Sequence, residues 1–173
     1  MYFYFAGHGS PDIKENKMYL IPYNGDPNYA SLTGYELGRL YDQVAELGAS
    51  SVTIFLDACF SGVNRNNEML LADARPVYIE VEGPTAKGNV SVFAAATGKQ
   101  ISSAWPEKKH GLFTYFMLKG LRGEADRNTD RKITLDELSR YISDNVSETA
   151  GLLDREQTPQ LFTADPQRVL VTY

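Results

Sequence analysis

Cysteine is nearly absent from this chain: a single thiol, Cys59, in 173 residues excludes an internal disulfide. That residue is therefore either a small apolar filler or a reactive group. Such usage is compatible with a reducing compartment such as the cytoplasm. Histidine is scarce too, confined to His8 and His110. No apolar run approaches the roughly 18 residues that cross a bilayer, so no membrane helix is predicted. No secretory signal, low-complexity tract, internal repeat or dividing linker is expected from the pattern. Basic residues are outnumbered 17 to 22, and the resulting net charge of −5 argues against a nucleic-acid surface and favours basic partners. The remainder is ordinary globular composition, at a length suited to one domain, residues 1–173, with a sizeable core.

The chain opens inside a strand pattern. Met1-Tyr2-Phe3-Tyr4-Phe5 is aromatic and β-rich with no cap before it, which reads as a fragment of a longer protein. Ala6-Gly7-His8-Gly9-Ser10 is expected to end this strand in a tight turn. Residues 10–33 read as irregular, with Met18 to Pro22 a short apolar insertion. Thr33-Gly34-Tyr35-Glu36 matches a capping box, and Leu37, Leu40, Tyr41, Val44 and Leu47 follow at helical spacing until Gly48.

The run Val52-Thr53-Ile54-Phe55-Leu56 has strand length and ends in Asp57-Ala58-Cys59-Phe60-Ser61-Gly62. A strand, a crossover helix and a second strand of one sheet run parallel and right-handed, so both carboxyl ends reach the same edge. His8 and Cys59, though distant in sequence, should then stand side by side. Beyond them come a polar loop at 61–76, an edge strand at 77–81, and a buried strand at 90–96. A second loop, 97–109, carries Gln100, Ser102, Ser103, Trp105 and Glu107 at the same edge. An apolar helix is predicted from Leu112 to Leu121, ending at Gly120 or Gly123. An amphipathic helix follows at 134–147 through Leu135, Leu138, Tyr141, Ile142 and Val146. The tail at 168–173 reads as a final strand.

The first constellation is His8 with Cys59. A thiolate is the nucleophile, and a neighbouring imidazole can raise its population and protonate a leaving amine. The amides of Gly9 and Cys59 could point two donors at a developing oxyanion. Taken singly, each residue is more often structural: a buried thiol, a satisfied histidine.

Tyr4-Phe5-Ala6-Gly7-His8-Gly9 and Asp57-Ala58-Cys59-Phe60-Ser61-Gly62 together resemble the caspase-like cysteine peptidases, specifically the metacaspase and bacterial orthocaspase branch. A histidine about 50 residues upstream of the cysteine is a spacing of that family. The resemblance continues through Ala94-Ala95-Ala96, Gln100-Ile101-Ser102, His110-Gly111-Leu112-Phe113-Thr114 and Gly123-Glu124-Ala125-Asp126. It implies a caspase-like three-layer α/β/α sandwich with a mostly parallel sheet, here N-terminally truncated and lacking its first strands and helices. It also implies His8 as general acid/base, Cys59 as nucleophile, and the backbone N–H groups of Gly9 and Cys59 as the oxyanion hole.

Asp57 is the second feature. Metacaspases have Asp in the floor of the primary pocket where caspases that cut after aspartate have Gln. A confined carboxylate complements Lys or Arg, and Arg can pair bidentately. The resemblance thus implies protein or peptide substrates cut after basic residues. The competing reading is that Asp57 hydrogen-bonds a neighbouring turn.

The third is Asp126 to Glu137, where Asp126, Asn128, Asp130, Thr134 and Glu137 fall at the oxygen-ligand positions of a twelve-residue calcium loop, with Arg131 in place of the usual glycine. Against Ca²⁺ stand Arg127, Arg131 and Lys132, and a simpler reading in which Thr134 and Glu137 form a capping box. Metacaspases are often calcium-activated through acidic residues flanking the catalytic loops, but Asn64 to Asn67 offers no carboxylate before Glu68. No cofactor is required by these patterns. His110 reads as non-catalytic, and Trp105 and Tyr115 as packing or pocket-wall residues. A non-enzymatic caspase-like signalling or interaction domain is the alternative, motivated by Ala6 where metacaspases commonly have Ser.

Overall fold

Strand β1 (Tyr2–Asp12) is the organising element of the computed structural model, which describes residues 1–12, 14–60, 89–96 and 100–173. The strand does not stop at Ala6. It pairs in parallel with β4 (Val52–Cys59) over Tyr2 to His8, then antiparallel with β2 (Lys17–Ile21) over His8 to Asp12. The expected turn at residues 6–10 is thus extended chain, and its glycines serve a different purpose. A Cβ on Gly9 would lie 2.7 Å from the Cys59 carbonyl oxygen and press on the Phe60 ring. Close approach of two strand ends is what requires glycine there. The chain reverses after Asp12, whose Oδ1 accepts the backbone N–H of Lys14 at 2.9 Å and of Glu15 at 3.2 Å.

A short helix, α1 (Ala30–Thr33), and a two-residue strand, β3 (Tyr35–Glu36), precede α2 (Leu37–Glu46). The expected capping box at Thr33 does not form. Glu36 occupies the N-cap of α2 with no side-chain cap bond, while the Thr33 hydroxyl donates to Asp26 O at 2.9 Å and accepts from Asp26 N at 3.0 Å. Thr33 thus closes α1 instead of capping α2. Gly48, at φ +65°, does end the segment, and Leu47 lies beyond the helix with 58% exposure.

The six-stranded sheet has the order β3-β2-β1-β4-β5-β9, where β5 is Val90–Ala94 and β9 is Gln160–Phe162. The central trio β1, β4 and β5 is parallel, and the flanking pairings are antiparallel. On one face, α2 packs Leu37, Leu40, Tyr41 and Val44 against Ile54, Leu56 and Val92. On the other lie α3 (Leu112–Lys119) and α4 (Leu135–Leu152), whose Phe113, Leu138 and Ile142 meet Phe55 and Phe93. These are the three layers of an α/β/α sandwich. Each fully buried Leu, Ile or Phe contributes roughly 1.5–3 kcal/mol of apolar transfer.

Between β5 and α3 a small hairpin pairs β6 (Ala104–Trp105) with β7 (His110–Gly111). The apolar helix ends at Lys119, and a wider turn, Gly120–Glu124, follows with Gly123 at φ +121°. The terminal strand β10 (Val169–Thr172) forms, but pairs with β8 (Lys132–Thr134) in a separate ribbon. The main sheet is closed on that side by β9, for which the three-residue run gave no distinct pattern. The expected loop at 61–76, the strand at 77–81 and residues 97–99 lie outside the described residues. No helix among the described residues is long and apolar enough to cross a membrane.

Candidate active site

Register assembles the site. In the β1–β4 pairing Tyr4 lies opposite Phe55, Ala6 opposite Asp57 and His8 opposite Cys59. Side chains of a strand alternate between faces, so Phe55, Asp57 and Cys59 share one face while Ile54, Leu56 and Ala58 point toward α2. Tyr4, Ala6 and His8 share the same face as Asp57 and Cys59. His8 and Cys59 therefore stand side by side on the α3/α4 side where the parallel β1–β4 pairing ends, although β1 itself runs on to Asp12. His8 is exposed; Cys59 is 5% exposed.

Cys59 is held by Ser102. The Ser102 backbone N–H donates to Cys59 Sγ at 2.7 Å, and the thiol points back to the Ser102 carbonyl oxygen at 3.7 Å. Gly9 is buried beside this strand end, close to the Cys59 backbone. The two amides expected to form an oxyanion hole thus belong to adjacent, tightly packed residues.

Asp57 has no exposed surface. Its Oδ1 accepts the Ser102 hydroxyl and its Oδ2 accepts the Thr114 hydroxyl. Tyr4 OH in turn bonds Thr114 Oγ1 at 2.8 Å, so one hydroxyl chain runs from β1 through α3 to the carboxylate. These two hydroxyls come from distant segments. Gly111 packs directly on the carboxylate, where a Cβ would collide with Oδ2.

The carboxylate faces a cleft of about 420 Å³, lined by Tyr4, Ala6, Trp105, Lys109, His110 and Thr114 among others. Trp105 forms a wall, with Tyr115 edge-on at 5.1 Å between ring centroids, and Lys108 Nζ lies 5.7 Å from the Trp105 centroid. The pocket-wall expectation for Trp105 matches this position. His110 stands at the cleft as well, in register with Trp105.

The segment carrying Ser102 is pinned from behind. Gln157, 1% exposed, accepts the Ser103 N–H at 2.7 Å and donates to Ala95 O at 2.9 Å, tying the segment to the end of β5. Leu112 N–H donates to Ser103 O at 2.9 Å, and Gln100 Oε1 accepts Thr158 N–H at 2.6 Å. Sequence reasoning missed Thr114, Gln157 and Tyr4. For Thr114 a signal existed: a hydroxyl within the apolar run Leu112-Phe113-Thr114-Tyr115-Phe116-Met117.

The 126–137 segment is tied together by side-chain oxygens that accept backbone N–H groups. Asp126 accepts backbone N–H groups of Asp130 and Arg131 and the Tyr173 hydroxyl. Asn128 Oδ1 accepts Asp130 N–H, and Asp130 Oδ1 accepts Lys132 N–H. Thr134 and Glu137 form the reciprocal capping box of α4, with Glu137 Oε2 accepting Thr134 N–H at 3.0 Å. Among the described residues no group of three or more His, Cys, Asp or Glu side chains could hold a metal ion, so Asp126, Asp130 and Glu137 are not gathered into one.

A family model, the caspase domain of peptidase family C14, matches residues 1–171, and the chain belongs to that family of cysteine peptidases. No curated protein matches the chain.

Proposed function

We propose that this caspase-domain chain is a cysteine endopeptidase of the metacaspase and orthocaspase type that hydrolyses peptide bonds after Arg or Lys. The observation that carries the reading is Asp57: a fully buried carboxylate flooring an open cleft, two residues before the sole cysteine and on the same strand face.

Cys59 attacks the scissile carbonyl carbon as thiolate, and the Gly9 and Cys59 amides stabilise the resulting oxyanion. His8 carries the proton to the leaving amine, whose C–N bond breaks to give a thioester. Water, deprotonated by His8, then attacks the thioester and releases Cys59. The basic side chain ahead of the scissile bond reaches into the cleft toward Asp57, and an acidic one there is repelled. Arg is preferred to Lys because its planar fork can engage two carboxylate positions at once.

The test is turnover of peptides ending in Arg, Lys or Asp, with and without Ca²⁺, beside Cys59→Ala. Cleavage after Arg and Lys that disappears in Cys59→Ala is the expected outcome; equal cleavage in the variant overturns the reading. The limited exposure of Cys59 and its engagement by Ser102 motivate the second reading, a non-catalytic signalling or interaction domain. Failure of a peptide electrophile to alkylate Cys59 in folded protein would favour it.

A further inference from the structure

Strand β1 carries three exposed residues in a row on the α3/α4 side of the sheet: His8 beside Cys59, then Ala6, then Tyr4. Ala6 and Tyr4 both line the cleft, together with Trp105. Neighbours on one strand face are about 6.6 Å apart, so Ala6 lies one such step from His8 and Tyr4 lies two. The Tyr4 ring is half exposed but not loose, because its hydroxyl is bonded to Thr114 Oγ1 at 2.8 Å. Trp105, the other aromatic wall, is already engaged by groups of the chain itself. The Lys108 ammonium lies over its ring, 5.7 Å from the centroid, and Tyr115 and Phe116 pack on the same indole. The cation–ring contacts among the described residues fall on Tyr35, Trp105 and Tyr115.

We propose that Tyr4 is a specificity-determining residue whose ring takes the end group of the basic side chain ahead of the scissile bond and favours Arg over Lys. This rests on the basic-residue reading proposed above. A long side chain rooted beside His8 and Cys59 crosses Ala6, where a single methyl group leaves room, and its end group arrives at Tyr4. A guanidinium is flat and weakly hydrated, so it can lie on the ring and gain both cation–π attraction and stacking. An ammonium is compact and strongly hydrated, and gains less. The bond to Thr114 holds the ring before the ligand arrives, which lowers the ordering cost of the contact. Lys109 and His110 also stand at the cleft, but a positive charge on either opposes Arg and Lys alike and leaves the ratio between them unchanged. Pairing with Asp57 contributes its own preference for Arg; the share of the ring is the part that depends on Tyr4.

The experiment compares kcat/KM for two peptides that differ only in Arg or Lys ahead of the scissile bond, in wild type, Tyr4→Leu and Tyr4→Phe, with folding of each checked by urea denaturation. Tyr4→Leu is expected to lower the Arg-to-Lys ratio by about threefold or more, the scale of one exposed cation–π contact, chiefly through the Arg peptide. Tyr4→Phe keeps the ring and loses the hydroxyl, and is expected to retain most of the wild-type ratio. Both variants break the bond to Thr114, so their difference separates the ring from the hydroxyl chain that leads to Asp57. If Tyr4→Leu does not fold, Tyr4→Thr, another ring-free residue that suits a strand, is read by the same criteria. A ratio unchanged in the ring-free variant, or equal losses for the two peptides, overturns the assignment while leaving basic-residue specificity standing. Equal drops in ratio for the ring-free variant and Tyr4→Phe, or a wild type that does not prefer Arg, overturn it also. Absence of cleavage after either residue overturns both this assignment and the specificity reading.

Discussion

His8 and Cys59 are register partners on β1 and β4, the last pair of the parallel ladder and on the same face of the sheet. The sulfur accepts a hydrogen bond from the Ser102 backbone N–H. Placement of the pair is thus built into the sheet, while orientation of the thiol is set by a segment more than 40 positions downstream.

The dyad is tested most directly by removing each member. Cys59→Ala should abolish turnover of Arg peptides. His8→Ala should lower kcat by roughly 10²–10⁴-fold, the usual contribution of a positioned acid/base group, with little change in KM. Steady-state kinetics on purified, folded variants checks both.

Asp57→Asn keeps the shape of the side chain but removes its charge. For Arg peptides, kcat/KM should fall about 30-fold or more, the equivalent of roughly 2 kcal/mol for an unpaired cation. Peptides with a neutral residue ahead of the scissile bond should be far less affected. A uniform loss across both peptide classes would mean that the residue supports the strand end instead.

Thr114→Val deletes the Asp57 Oδ2 donor and leaves Tyr4 OH without its partner. Since hydrogen bonds to charged groups contribute about 1.5–3 kcal/mol, urea denaturation should register a loss in that range. Tyr4→Phe breaks only the outer link of the chain and should cost less.

Much of this was legible in the sequence, and the parts that were not share a cause. Strand–helix–strand order fixed the juxtaposition of His8 and Cys59 because parallel pairing leaves little choice of edge. The helices around Leu40, Phe113 and Leu138 followed from apolar spacing. What misled was glycine: Gly7 and Gly9 suggested a turn, although their small size serves the packing of β1 on Phe60 and the Cys59 backbone. Thr33 and Thr134 both begin capping-box patterns, yet only Thr134 has a helix running on in register behind it. The hydroxyls on Asp57 were illegible because Ser102 and Thr114 reach it across 45 and 57 positions, distances over which local pattern carries no information.

Gln157 is a further such case, and it carries a prediction of its own. Gln157→Leu would preserve volume but strand the Ser103 N–H and the Ala95 carbonyl, each buried. At about 1–3 kcal/mol per unsatisfied group, the variant should be clearly destabilised. Because Ser103 adjoins Ser102, surviving folded protein should also cleave Arg peptides more slowly, mainly through kcat.

A last prediction concerns pH and lies away from the cleft. Glu124 Oε2 is bonded to Lys119 Nζ at 2.9 Å and to Tyr141 OH at 2.7 Å. The Lys119 bond, followed by that of Tyr141, holds the Glu124 carboxyl below its ordinary 4.5, and the same bond raises Lys119 above 10.5. A carboxyl depressed on folding adds stability that is fully present above its unfolded value and is lost as pH falls through the folded one. A raised lysine adds stability that is present below 10.5 and lost as pH climbs through its folded value. The pair should therefore contribute a constant increment across neutral pH that fades in acid. Both side chains are substantially exposed, so the increment is small and weakened by salt. Denaturation midpoints of wild type and Glu124→Gln should differ near pH 7 and converge well below 4.5. A difference that grows on acidification would assign the stabilisation to another group.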